Sequence, residues 1–216
     1  MDFVAARRNM VASQLRPNEV NDPAVIGAMG AVPREKFLQP SQRQFAYVDE
    51  DLPVGHGRFI MEPLVLARLL QMAEVQPTEA ALVIGAAGGY SAAVLAQLAS
   101  SVVGLESDPA LSAAATRALA ELKIDNVAVI NGPLTAGCPG QAPFDVIFIN
   151  GAVDHVPDAI KRQLADGGRL VTVVRQNGVG RCTLITRTED AFGARSDYDA
   201  ATPVLPGFEA KAGFVF

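Results

Sequence analysis

The chain has few of the residues that staple a fold or bind metals: two cysteines, Cys138 and Cys182, and two histidines, His56 and His155, in 216 residues. Two distant thiols make no disulfide framework, and neither they nor the histidines show metal-ligand spacing. Clustered basic charge is missing too. Eighteen Lys and Arg stand scattered against 23 Asp and Glu, for a net charge of −5, and this excludes a general nucleic-acid binder, which needs massed cations to neutralise phosphates. The sequence contains no apolar run of about eighteen residues and no charged-then-apolar leader, so the expectation is no membrane partner and a cytoplasmic location. Internal repeats and low-complexity linkers are also missing.

Apolar residues are plentiful. They make up 50% of the chain, enough at this length to build one α/β domain with a large core. Residues 3–15 and 23–30 read as helices, the second opened by Asp22 as N-cap and Pro23 at the first helical position. Asp108-Pro109 repeats that device before a stripe of Leu111, Ala114, Ala115, Ala118, Leu119 and Leu122 at helical period. Strands are expected at 80–84, 102–106, 127–130, 144–149, 169–174 and 181–187, and a further one near 194–200. Their continuous apolar character predicts a sheet covered on both faces. Alternation with helices gives a doubly wound, mostly parallel sheet with an N-terminal helical extension. Its crevice lies at the carboxyl ends of the strands, where Gly85, Glu106, Asn131 and Asn150 fall. The tail beyond Thr188 is less readable and ends in an apolar stub, Phe214 to Phe216.

The most informative stretch is LVIGAAGGYSAAVLA (82–96), an apolar strand running into a glycine-rich turn that opens a helix, predicted over about Tyr90 to Ala99. Such a turn bends tightly, lets a ligand approach the backbone, and presents the positive end of a helix. Glu106 stands 21 residues beyond Gly85, at the end of the next strand, where an acidic side chain accepts hydrogen bonds from a ribose. The spacing of Gly85, Gly88 and Gly89 does not fit the G-x-G-x-x-G of nicotinamide enzymes.

Around that turn the chain resembles the protein-L-isoaspartate O-methyltransferase family. The resemblance rests on MVASQLRPNEVNDPAVIGAMGAVPREKFL (10–38), AYVDEDLPVGHG (46–57), NVAVINGPLTAGCP (126–139), APFDVIFINGAVDHVP (142–157) and LADGGRLVTVV (164–174), all in the family's order and spacing. It implies a Rossmann-like fold, S-adenosylmethionine (SAM) as cofactor, and a protein or peptide carboxylate as methyl acceptor. On that reading residues 1–216 form one domain, with an N-terminal helical and acceptor-side segment (1–78) and a methyltransferase core (79–216). The cofactor-side residues are Gly85, Ala86, Ala87, Gly89, Glu106, Asn131, Gly132 and Asn150, and the acceptor-side candidates are Arg58, Phe59, Ile60 and Met61.

Several positions depart from the family pattern. Its strand-one acid is Val83 here, and the second glycine of the turn is Ala87. Where the family carries Gly-Asp-Gly to read the adenine amino group, this chain has Gly132-Pro133-Leu134, and proline offers neither a side-chain acceptor nor an N–H; Asn131 is the candidate substitute. The G-Q-T-I-S-x-P acceptor segment becomes Gly57-Arg58-Phe59-Ile60-Met61-Glu62-Pro63, which loses both hydroxyls. Two missing polar contacts at about 1–2 kcal/mol each weaken SAM binding on the order of 30-fold to 1000-fold. Arg58 reads either as a bidentate carboxylate ligand or as a surface charge or partner of Glu62. Three readings stay open: an isoaspartyl methyltransferase with weak or lost repair, a methyltransferase for a more apolar acceptor, and a non-catalytic binding module on the same fold.

Overall fold

The computed structural model describes residues 1–210; the stub Phe214–Phe216 lies outside them. Helices α1 (Phe3–Met10), α2 (Pro23–Ala31) and α3 (Pro63–Ala73) precede the core, with a small hairpin, β1 (Leu52–Gly55) and β2 (Arg58–Ile60), between α2 and α3. Then come β3 (Ala80–Ile84), α4 (Tyr90–Leu95), β4 (Ser101–Glu106), α5 (Pro109–Glu121), β5 (Val127–Asn131), β6 (Phe144–Val153), α6 (Asp158–Lys161), β7 (Leu164–Gln176), β8 (Val179–Thr188) and β9 (Ala191–Asp199).

Seven strands form one sheet in the order β5-β4-β3-β6-β7-β8-β9. The first five positions in that order pair in parallel, so β3 is central and the carboxyl ends of β3, β4, β5 and β6 share one edge. The two capping aspartates act as their residue type predicts: Asp22 accepts from the N–H groups of Ala24 and Val25, and Asp108 from those of Ala110 and Leu111.

Three expectations need correction. The chain stays helical over 3–15 but widens to a π turn at Val11–Leu15 and tightens at Arg16–Asn18, where Pro17 ends it. Helix α4 stops at Leu95, and 96–99 close as a turn in which both Leu98 and Ala99 donate to the Leu95 carbonyl. The sheet also finishes antiparallel: β8 and β9 return as hairpins, β8 covered at Cys182 to Ile185 as expected and β9 largely exposed. The signal for the first hairpin was Asn177-Gly178, both at positive φ (52° and 81°), the pairing that a tight two-residue turn demands.

From β9 the chain crosses back over the sheet edge as an irregular strap, residues 200–208. Ala200 N–H donates to the Gly180 carbonyl at 2.9 Å, Ala152 and Leu205 exchange bonds with the strap and β6, and Leu205 and Phe208 are buried. Gly180 permits this crossing, because a Cβ there would lie 2.3 Å from the Ala200 carbonyl oxygen. Gly180→Ala is therefore expected to lower the unfolding free energy by about 1–3 kcal/mol, the usual cost of overpacking, as read by urea denaturation. An unchanged midpoint would mean that the strap is not held there.

Candidate functional site

The site is built around one carboxylate. Glu106 ends β4 with no exposure to solvent, and a buried charge must be met by donors. It accepts from the N–H groups of Ala87 (2.9 Å), Ser107 (2.7 Å) and Asp108 (3.0 Å). The first of these ties it to the glycine-rich turn after β3, and the other two to the start of α5. Its main-chain carbonyl also receives Gly132 N–H and Asn131 Nδ2 from the end of β5. One residue thus gathers the ends of three strands.

The turn itself is tightly packed. Gly85 and Ala86 both donate to the Leu105 carbonyl, so neither N–H is open to a ligand. Ala87 sits at φ +48°, a left-handed conformation costing an L-residue on the order of 1 kcal/mol. Gly89 serves packing, since a Cβ there would meet Ala115 of α5 at 3.1 Å. A side chain at Gly85 would meet Leu205 of the strap at 2.8 Å. Val83 is fully buried in the core, a place where the family's acid would have to find new partners. Asn150 is buried and donates Nδ2 to the Gly85 carbonyl at 2.8 Å. Asn131 commits its amide nitrogen to Glu106 and Ser112, which leaves Oδ1 as the acceptor an adenine amino group would need.

The acceptor-side residues occupy the same crevice. Strand alternation along β2 turns Arg58 and Ile60 inward and leaves Phe59 half-buried. Arg58 is neither a surface charge nor a partner of Glu62: its Nε donates to both oxygens of Glu106 at 3.2 and 3.3 Å, and its Nη2 to Ser107 Oγ at 2.7 Å. The β1–β2 turn is held onto the same corner by His56 Nδ1, 2.7 Å from Asp108 Oδ2. Hydrogen bonds from Leu111 and Ala110 N–H, with the nearby His56 and Arg58 charges, hold the Asp108 carboxyl below the usual range. Phe59 and Met61 line the remaining space with Asn150 and Leu205 or with Tyr90 and Ser91.

That space is almost nil. The two voids among these residues measure about 10 Å³ and 0 Å³, against roughly 300–1,000 Å³ for a small-molecule site. A larger cavity of about 640 Å³ lies elsewhere, over Val174, Arg181, Ile185 and Ser196, and includes none of the cofactor-side or acceptor-side candidates. Yet two buried polar atoms in the crevice, Ser91 Oγ and Asn150 Oδ1, have no partner, as in a wall made to face something polar. The residue types suit a polar ligand, and the two voids beside Phe59 and Met61 are too small to hold one. Ser91 and the strap were missed in the sequence because a serine inside an alanine-rich helix and an irregular tail carry no motif.

A mostly parallel sheet with a glycine turn after β3 and an acidic residue at the next strand end is the architecture of a Rossmann-like fold; the comparisons make it that of a methyltransferase. The model of the protein-L-isoaspartate(D-aspartate) O-methyltransferase family matches residues 6–201. The chain is 43% identical over 187 residues to protein-L-isoaspartate O-methyltransferase 1 of Rhodopseudomonas palustris, covering 86% of this chain and 76% of that one. It is 40% identical over 180 residues to the Gloeobacter violaceus protein, covering 83% and 88%. A solved protein-L-isoaspartate O-methyltransferase superposes with TM-score 0.81 at 24% identity, over 93% of this chain and 66% of that one. A Plasmodium falciparum structure of the same description, in complex with S-adenosyl-L-homocysteine, gives 0.78 at 19% identity, over 95% and 98%. The chain belongs to the protein-L-isoaspartate O-methyltransferase family, whose cofactor is SAM. Among the described residues no helix is long and apolar enough to cross a membrane.

Two outcomes follow from the site's local physics. Ala87→Gly relieves the left-handed alanine and is expected to stabilise the protein by about 0.5–1 kcal/mol in thermal melts; destabilisation would show that the methyl is packing usefully. Burial, followed by the charges of Asp49 and Asp51, pushes the Glu62 carboxyl up to about 7 from 4.5. Between those values the folded chain holds a proton that the unfolded chain releases, so stability is lost as pH rises through that window. Glu62→Gln should flatten the melting temperature between pH 5 and 8 and raise it at pH 8; a profile parallel to wild type would assign the dependence to another group.

Proposed function

We propose that this chain transfers the methyl group of SAM to an isoaspartyl carboxylate of a protein or peptide, in the cytoplasm, and does so slowly. The observation that carries the reading is Glu106, a wholly buried carboxylate facing the glycine-rich turn at the position for ribose recognition. Asn131 and Gly132 then stand at the adenine edge, and Gly85, Ala86, Ala87, Gly89 and Asn150 line the rest of the cofactor crevice. Arg58, Phe59, Ile60 and Met61 form the acceptor side. Residues 1–78 supply that side and 79–216 the core of a single domain, without a nucleic-acid partner. The comparisons lend nothing to a non-catalytic module or to a more apolar acceptor.

Slowness follows from what the acceptor side lacks. An isoaspartyl carboxylate is already ionised at neutral pH, so methylation asks the protein for in-line positioning and a dry site rather than acid–base help. Phe59 and Met61 exclude water but offer the acceptor no hydrogen bond, and Pro133 leaves the adenine edge without the family's aspartate. Losses on the two sides of a reaction centre add as free energies and multiply as rates. Methyl transfer from labelled SAM to an isoaspartyl peptide is expected to run at least about a hundredfold below an active relative. Met61→Ser alone should stay slow, with recovery requiring Phe59→Thr and Pro133→Asp as well. Robust turnover by the unmodified chain would sink the slow-transfer reading, and no transfer even by the triple variant would sink the methyltransferase reading.

A further inference from the structure

The crevice holds a feature that the family pattern does not supply. Where its acceptor segment reads G-Q-T-I-S-x-P, this chain carries Arg58 in place of the glutamine, and the guanidinium lies on Glu106 and Ser107. Resting on the proposal that Glu106 is the ribose carboxylate, we propose that Arg58 is a built-in competitor for the ribose subsite. It makes cofactor binding an exchange, in which the two ribose hydroxyls take over the hydrogen bonds that Arg58 gives to Glu106.

Four observations support the exchange. Glu106 keeps three backbone N–H donors whether or not Arg58 is present, so the carboxylate stays satisfied when the arginine leaves. Of the three hydrogen bonds that Arg58 would give up, the two to Glu106 are long, at 3.2 and 3.3 Å from one shared nitrogen, and the one to Ser107 Oγ is short at 2.7 Å; a diol offers Glu106 two separate donors instead. The closed crevice also carries a cost of its own, because Asn150 Oδ1, in the void that Arg58 lines, is buried without a partner, and opening gives it something to bind. Arg58 sits beside the exposed tip of its hairpin, at Gly55, His56 and Gly57, so it has a short route to solvent.

A site that is open only part of the time binds more weakly by the open fraction. Removing the competitor raises that fraction. Calorimetric titration of S-adenosyl-L-homocysteine into the full chain should show Arg58→Gln, which restores the family residue, binding about tenfold or more tighter than wild type. Arg58→Ala should do the same, and both should remain folded because Glu106 retains its backbone donors. In unmodified protein labelled with nitrogen-15 arginine, the Arg58 Nε–H resonance should be protected from exchange and should lose that protection when the compound is added. Equal or weaker binding by both variants, or an unmoved Arg58 resonance in a wild-type complex, would overturn the proposal and leave the family reading standing. If neither wild type nor either variant binds, the proposal fails together with the assignment of Glu106 to ribose.

Discussion

The Glu106 carboxylate is the constraint around which the rest of this corner is arranged. A charge with no solvent contact has to be surrounded by donors, and here they come from the turn after β3, from the entry to α5 and from the β1–β2 hairpin. The backbone carbonyl of the same residue holds the end of β5. Satisfying one buried acid therefore fixes the relative placement of the glycine turn, the adjacent strand ends and the acceptor-side hairpin. The positive φ of Ala87 belongs to the same demand, because the turn must bring that N–H to within 2.9 Å of Glu106.

A second fixed point lies on the opposite rim. Asp51 Oδ1 accepts from Glu62 N–H at 2.9 Å and from Thr202 Oγ1 at 3.1 Å, and so joins the hairpin, the start of α3 and the strap. The crevice is closed between these two anchors, with Leu205 pressed to Gly85 from one side and Arg58 to Glu106 from the other. Both closures use side chains on irregular or short elements, which move more readily than the sheet beneath them.

What could be read in the sequence was what depends on local chemistry. Asp22-Pro23 and Asp108-Pro109 announce helix starts because the cap lies two or three residues from the N–H it binds, and the strand ends placed Glu106 and Asn150 at one edge because a parallel sheet aligns them. What escaped depends on contacts across long separations. Nothing near Arg58 in sequence says that it lands on a carboxylate 48 residues away, although the alternation along β2 shows that it faces inward. Leu205 lies in a segment without periodicity, and its place over Gly85 is set by backbone bonds to Ala152. The antiparallel finish is legible only in Asn177-Gly178, because an apolar run reports burial and not strand direction, which the turn residues set.

That hairpin tip has a chemical consequence. Asparagine followed by glycine is the pairing in which the unhindered backbone nitrogen most easily attacks the side-chain amide, closing a succinimide that reopens largely as isoaspartate. The chain contains the pairing three times, at 131–132, 150–151 and 177–178. Asn150 is buried with its amide bound to Gly85, and Asn131 has its amide bound to Glu106, but Asn177 stands exposed at the β7–β8 turn. A carbon inserted into the main chain there would break the two-residue geometry that starts β8. Of the chain's three Asn-Gly pairings, Asn177-Gly178 is therefore the one left open to the very damage its family methylates.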